Sequence, residues 1–228
     1  MKKKTLYTEA AYILGIVVLA IGTAFMERAD FGMSMVVAPA YLMHLKVSEF
    51  LPFFSFGMAE YMLQAVLLIL LSVILRRAKR TYLFSFVTAV LYGFALDGAI
   101  WAVSFLPFSG MAFRVVSYVA GMLMGSVGVA FFFHTYIAPE AYELFVKEIA
   151  EKHGQPISRV KTIYDCISCG VSILMSFLFF GLWHFEGVRW GTILCALVNG
   201  SVIGWFTRQL NRVWTFEDGR KWRHVFER

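Results

Sequence analysis

Six long apolar stretches, at about residues 10–27, 54–75, 82–105, 113–136, 160–184 and 189–207, are separated by short polar breaks. Each is close to the roughly 20 residues that an α-helix needs to cross a bilayer. None alternates apolar and polar positions with period two, which excludes a transmembrane β-barrel. The pattern predicts an all-α polytopic membrane protein, with six transmembrane helices in a single transmembrane domain. Two connecting segments depart from it. Residues 31–45 are apolar but too short to span, and Gly32 and Pro39 interrupt them, so a re-entrant or interfacial segment is expected after helix 1. Around 139–153, Tyr142, Phe145, Val146 and Ile149 share one helical face, while Glu140, Glu143, Lys147, Glu148 and Glu151 take the rest. Pro139 suits the first turn and Gly154 the end. This predicts an amphipathic helix after helix 4, lying on the cytoplasmic membrane surface.

Composition narrows the function classes. Of 228 residues, 59% are hydrophobic and 16% charged, and the mean hydropathy is +0.68. Soluble domains average about 45–50% apolar and about 25% charged residues, so this chain belongs in a membrane. Six spans leave no room for a soluble catalytic domain, an ATPase domain or a receptor ectodomain, and no enzyme is expected. The apolar run that follows Met1-Lys2-Lys3-Lys4 is long for a signal peptide and ends at Glu27, Arg28 and Asp30 without a clear cleavage site, so it reads as the first span.

Charge then orients the spans. With the N-terminus in the cytoplasm, only Arg28, Lys46, Arg114 and Arg189 of the 21 Lys and Arg residues face outward, leaving 17 inside. That asymmetry obeys the positive-inside rule and puts both termini in the cytoplasm. Residues 209–228 read as a basic cytoplasmic tail. Its Trp214, Trp222 and Phe226, set among basic residues, suit anionic lipid at the inner face better than nucleic acid.

A faint internal repeat divides the chain into residues 1–110 and 111–208. Gly15, Gly22, Ala24 and Phe25 recur as Gly121, Gly128, Ala130 and Phe131, shifted by 106 positions. Val47-Ser48 resembles Ile157-Ser158, and Asp97-Gly98 resembles Asn199-Gly200, in the same order along the chain. Three spans per half is an odd number, so the second half enters the membrane upside down. Inverted three-helix repeats are a mark of secondary transporters.

Several short stretches also carry a family resemblance. Pro139-Glu140-Ala141-Tyr142-Glu143-Leu144, Lys161-Thr162-Ile163-Tyr164-Asp165 and Gly191 to Gly200 in the second half, with Ala29-Asp30-Phe31-Gly32-Met33-Ser34 in the first, resemble the YitT/YczE-type family of bacterial integral membrane proteins. The likeness covers most of the chain. It implies a bacterial inner (plasma) membrane location, but no established reaction and no catalytic residues.

Ionisable groups inside a bilayer are costly, by about 2.5–3.5 kcal/mol at a helix centre, and are functional candidates for that reason. Glu60, Asp97 and Asp165 lie within the second, third and fifth stretches, and no Lys or Arg is assigned to neutralise them. Gln64 follows Glu60 by one turn on the same face. Asn199 is the repeat counterpart of Asp97. Asp165, Ser168, Cys169, Ser172 and Ser176 return to one helical face, as close helix packing or as a polar path. The substrate- or ion-binding candidates are therefore Glu60, Gln64, Asp97, Asp165, Asn199 and Ser172.

Cys166-Ile167-Ser168-Cys169 has no second Cys or His pair nearby, so no metal or cofactor is expected. The set favours a secondary transporter or permease for a small, cationic or proton-coupled solute, with its site between the repeats. A substrate-capturing subunit of a larger importer and a non-transport membrane scaffold are the alternatives. Six spans enclose only a narrow path, which is compatible with a homodimer.

Overall fold

A computed structural model describes residues 4–107, 110–181 and 188–219, without the side chain of Ser158. Residues 182–184 of the fifth apolar stretch, residues 108 and 109 between the third and fourth, and Trp222 and Phe226 lie outside the described residues. The chain forms helices α1 (Thr8–Ala29), α2 (Ala38–Ser48), α3 (Phe56–Leu75), α4 (Arg80–Ser104), α5 (Met111–Phe132), α6 (Ala141–His153), α7 (Ile157–Phe180) and α8 (Trp190–Val213). Six of these are long and apolar enough to cross a membrane, and they correspond to the six apolar stretches. α2 and α6 are the two short ones.

Local chemistry sets the helix ends. Ser55 caps α3 by accepting from the Met58 N–H. α1, α3 and α6 stop at Asp30, Arg76 and Gly154, each left-handed, with backbone N–H groups bonded back into the last turn. At one end of the bundle, Asp30 Oδ2 accepts from both Arg114 (3.0 Å) and Arg189 (2.8 Å). These contacts, with the bond from Gly191 N–H to the Phe31 carbonyl, seat the chain that leaves α1 against the starts of α5 and α8. The other end carries both described termini. There, β1 (Lys4–Tyr7) and β2 (Trp214–Glu217) pair in parallel, in register Lys4 with Trp214 through Tyr7 with Glu217. Glu9 accepts from Tyr136 OH (2.8 Å) and Gly219 N–H (3.0 Å) beneath this clasp. The expected basic tail at 209–228 is thus corrected in its first part: residues 209–213 complete α8, and 214–217 form a strand.

α1 and α5 form the centre of the bundle, antiparallel and in close approach. A Cβ at Gly15 would lie 3.2 Å from the Gly128 carbonyl oxygen, and one at Gly22 only 2.7 Å from that of Gly121. Shifting each residue of the Gly15–Gly128 pair by the repeat converts it into Gly121–Gly22, so the two crossings exchange when the halves exchange. Helix neighbours follow the same rule. α1 packs on α4 as α5 packs on α8, α3 on α4 as α7 on α8, α2 on α3 as α6 on α7, and α2 on α7 as α6 on α3. α7 and α8 are the most peripheral, with 22% and 17% of their apolar windows buried against 44% for α1 and α5.

The segment after α5 departs from expectation. It is not a surface helix. Among residues 141–150 only Lys147 is exposed, and Glu140, Glu143 and Glu148 are buried. From Phe133 and His134 at the terminal face the chain turns back into the bundle. α4 holds it there through Ser85 Oγ to the Pro139 carbonyl (2.7 Å) and Thr88 Oγ1 to the Ala138 carbonyl (2.9 Å). α6 then returns to the terminal face, where Lys152 reaches the Ile74 carbonyl (3.1 Å) and Arg77 and Lys79 both pair with Glu148 (2.8 and 2.6 Å). The physical reason is that Gln64, Ser85 and Thr88 bond the backbone where the chain turns inward, and Arg77 and Lys79 pair with Glu148 where it returns, none of which amphipathic spacing reveals. α2 has the mirrored role, as expected of a re-entrant piece: Met33, Met35, Val36, Val37 and Leu42 are buried.

Candidate functional site

The two short helices, α2 and α6, begin deep in the bundle as half-helices, and their starts face one small cavity of about 40 Å³. That volume holds roughly three water-sized spheres. Ser34, Val36 and Val37 line it from the approach to α2, and Glu140, Tyr142 and Glu143 from the start of α6. Thr23 and Tyr92 bond each other across it at 2.9 Å. Asn199 closes another side, accepting from Ser126 Oγ at 2.8 Å.

Behind the start of α6 lies a polar chain. Gln64 accepts from the Ala141 N–H (3.0 Å) and donates to Glu140 Oε2 (3.2 Å) and Glu60 Oε2 (3.4 Å). Tyr142 OH donates to the same Glu60 oxygen at 2.8 Å. Glu60 and Gln64 are fully buried. Glu60 Oε1, Glu140 Oε1 and Glu143 Oε2 are buried without a hydrogen-bond partner. Burial, with Glu143 and Glu60 close by, pushes the Glu140 carboxyl well above the ordinary carboxylate range. Burial also raises Glu143, although Lys161 opposes the shift.

The charge balance differs from the sequence reading in one respect: a lysine does stand inside. Lys161, one turn before Asp165 on α7, is buried with its Nζ 3.0 Å from Asp165 Oδ1. Lys161 and Glu143 line the small cavity, and both also line a vestibule of about 940 Å³ on the terminal side. His134, Lys147, Gly204 and Arg208 are among the vestibule's other walls. Glu143 and Lys161 therefore stand at the neck between the two spaces.

The candidates sort unevenly. Asn199 lines the cavity, Glu60 and Gln64 stand behind it, bonded to the lining residues Tyr142 and Glu140, and Asp165 joins through Lys161. Ser172 is buried with its hydroxyl bonded back to the Ser168 carbonyl at 2.8 Å, a helix-packing arrangement. Asp97 belongs elsewhere. It is half-buried and accepts from Ser55 Oγ (2.6 Å) and the Gly57 N–H (2.8 Å), capping the start of α3 from the neighbouring helix. The expectation that Asp97 shares the interior site is corrected on that geometry. Asp97→Ala is expected to cost about 1–2 kcal/mol, the worth of a lost helix cap, seen as a lower unfolding midpoint, while the interior site keeps its properties.

Glu140, Glu143, Tyr142 and Lys161 escaped the sequence reading. The available signal was the run Phe131 to Ala138, too apolar for a surface linker. Of the Cys-x-x-Cys pair, Cys166 is exposed and Cys169 half-buried. Among the described residues no group of three or more His, Cys, Asp and Glu side chains is arranged to hold a metal ion. Neither a curated protein nor a solved structure matches the chain. A family model described as a family of unknown function, DUF6198, matches residues 6–208, and the chain belongs to that family.

Proposed function

We propose that this protein is a secondary transporter of a small cationic or proton-coupled solute, with its site between two inverted repeats. The observation that carries the reading is the pair of buried acids Glu140 and Glu143 on the cavity where α2 and α6 begin, with Glu60 bonded behind them through Gln64 and Tyr142 and with Glu143 also lining the vestibule. A scaffold has no use for desolvated carboxylates on a cavity, which cost stability. The exchange of Gly15–Gly128 with Gly22–Gly121 supports the repeat, and broken helices meeting at depth between repeats are what alternating access uses. The excess of basic residues on the terminal side favours that face as cytoplasmic, in the plasma membrane of a bacterium. In this orientation the vestibule faces the cell interior.

The test uses vesicles containing purified protein and a pH-sensitive dye. Alkali-metal, ammonium, methylammonium and choline salts are added outside in turn. At least one should drive a proton flux. Glu60→Gln nearly preserves volume and removes the charge, so it should lower that flux at least tenfold while the protein remains folded. Wild-type vesicles that move no protons with any member of the panel, or an undiminished Glu60→Gln flux, would refute the reading.

A further inference from the structure

We propose that the small cavity between the starts of α2 and α6 is a binding site for one partly dehydrated monovalent cation, held by Glu140 and Glu143 in exchange with protons. The inference rests on the transporter reading for its purpose but on separate observations for its chemistry. Glu140 and Glu143 are 2% and 4% exposed, both line the cavity, and each has a carboxylate oxygen without a hydrogen-bond partner. The neutral lining adds oxygen from Ser34, Tyr92 and Asn199. Hard cations replace water by such oxygens.

Size and charge select the class. About 40 Å³ admits an ion that has shed most of its water, such as sodium, potassium or ammonium. Magnesium gives up water reluctantly and requires a near-octahedral shell, and the described residues offer no metal-holding group of three or more such side chains. Among the groups facing the cavity or its walls, α3 supplies Glu60, α6 supplies Glu140 and Glu143, and α7 supplies Lys161 and Asp165. Tyr92 of α4, Tyr142 of α6 and Cys195 of α8 also line the cavity, and Tyr164 of α7 and Tyr12 of α1, which bonds Thr88, stand on the helices around it. Lys161 offsets one carboxylate, its partner Asp165. The three glutamates remain to be balanced by protons, by a cation or by both.

Competition follows from this balance. Protonated Glu140 has no charge to attract a cation, and its carboxyl holds its proton to higher pH than an ordinary glutamate. Cation affinity should therefore rise with pH. The same displacement makes the cation-free fold bind more protons than the unfolded chain, so its stability falls as pH climbs above the ordinary carboxylate range. A bound cation restores what is lost.

The experiment measures the unfolding midpoint of the purified full chain in detergent, with sodium, potassium or ammonium chloride replacing N-methylglucamine chloride at constant ionic strength. At pH 8.5 at least one cation should raise the midpoint by roughly 5 °C at a hundredfold excess over its Kd. The half-saturating concentration should increase about tenfold per pH unit lowered where one proton competes. Glu140→Gln and Glu143→Gln should each abolish the shift, and Asp97→Asn should keep it. A glutamine variant that fails to fold leaves the test intact, because the other variant and the pH competition in the wild-type chain are read independently. No shift with any monovalent cation, a pH-independent shift, a shift with divalent ions only, or a shift that survives in both glutamine variants overturns the proposal. Flux in vesicles without cation stabilisation would sink this inference and spare the transporter reading. Stabilisation without flux would do the reverse.

Discussion

Lys161→Met is expected to lower stability by about 3–5 kcal/mol, the cost of leaving a buried charge without its partner. The Lys161 side chain is 9% exposed and that of Asp165 2%, so solvent screens neither. Removing the lysine strands Asp165 on the inner face of α7, with the Glu143 carboxylate across the neck. Asp165→Asn in the same chain should recover most of the loss, because a neutral amide replaces the stranded charge. The measurement is a double-mutant cycle of unfolding midpoints for the two single variants and the pair. A Lys161→Met protein as stable as wild type would mean that Asp165 is neutral in the fold and that the pair is no ion pair.

The second large effect is expected at the central crossing. Gly22→Leu should leave almost no folded protein, and Gly22→Ala should be intermediate. The first side-chain carbon at this position would stand 2.7 Å from the Gly121 carbonyl oxygen and 2.8 Å from the Gly125 nitrogen. Both are backbone atoms of the opposite helix, so no rotamer change makes room, and α1 must separate from α5. Overpacking costs about 1–3 kcal/mol where side chains can yield, and more where backbone has to move. Gly170→Leu is the control, since an added carbon there meets nothing within 4 Å. Monodispersity by fluorescence-detected gel filtration reads the series. Equal profiles for Gly22→Leu and Gly170→Leu would show that the α1–α5 approach does not hold the bundle together.

The spans were legible because hydropathy over some 20 residues leaves little choice: the bilayer imposes helix length and direction through terms that each segment carries by itself. The recurrence of Gly15 and Gly22 at Gly121 and Gly128 was equally informative, since so close a backbone approach favours glycine over any residue with a side chain. Charge position was legible only in part. Glu60 and Asp165 announce themselves as acids in apolar surroundings, whereas Glu140 and Glu143 lie in a stretch whose spacing fits a surface helix just as well. Their burial depends on Gln64, Ser85 and Thr88 catching the chain as it turns inward, and those residues lie at least 50 positions away. Asp97 misled for the same reason. Nothing near it in sequence shows that Ser55 and the Gly57 N–H, 42 and 40 residues earlier, occupy its carboxylate.

The pairing of α1 with α5, and of β1 with β2, has a consequence for how the protein is made. The glycine face of the first helix waits for a partner that follows more than a hundred residues later. At about 5–20 residues per second of synthesis, that wait lasts roughly 5–20 s. During it α1, α3 and α4 occupy the bilayer as an open half, with Gly15 and Gly22 turned toward lipid or whatever helix passes. The half is no folding unit of its own, because its most intimate contact belongs to the other half. Closure of the strand pair comes last, once α8 has emerged, so a chain broken off within α8 inserts its earlier spans yet leaves β1 without its strand.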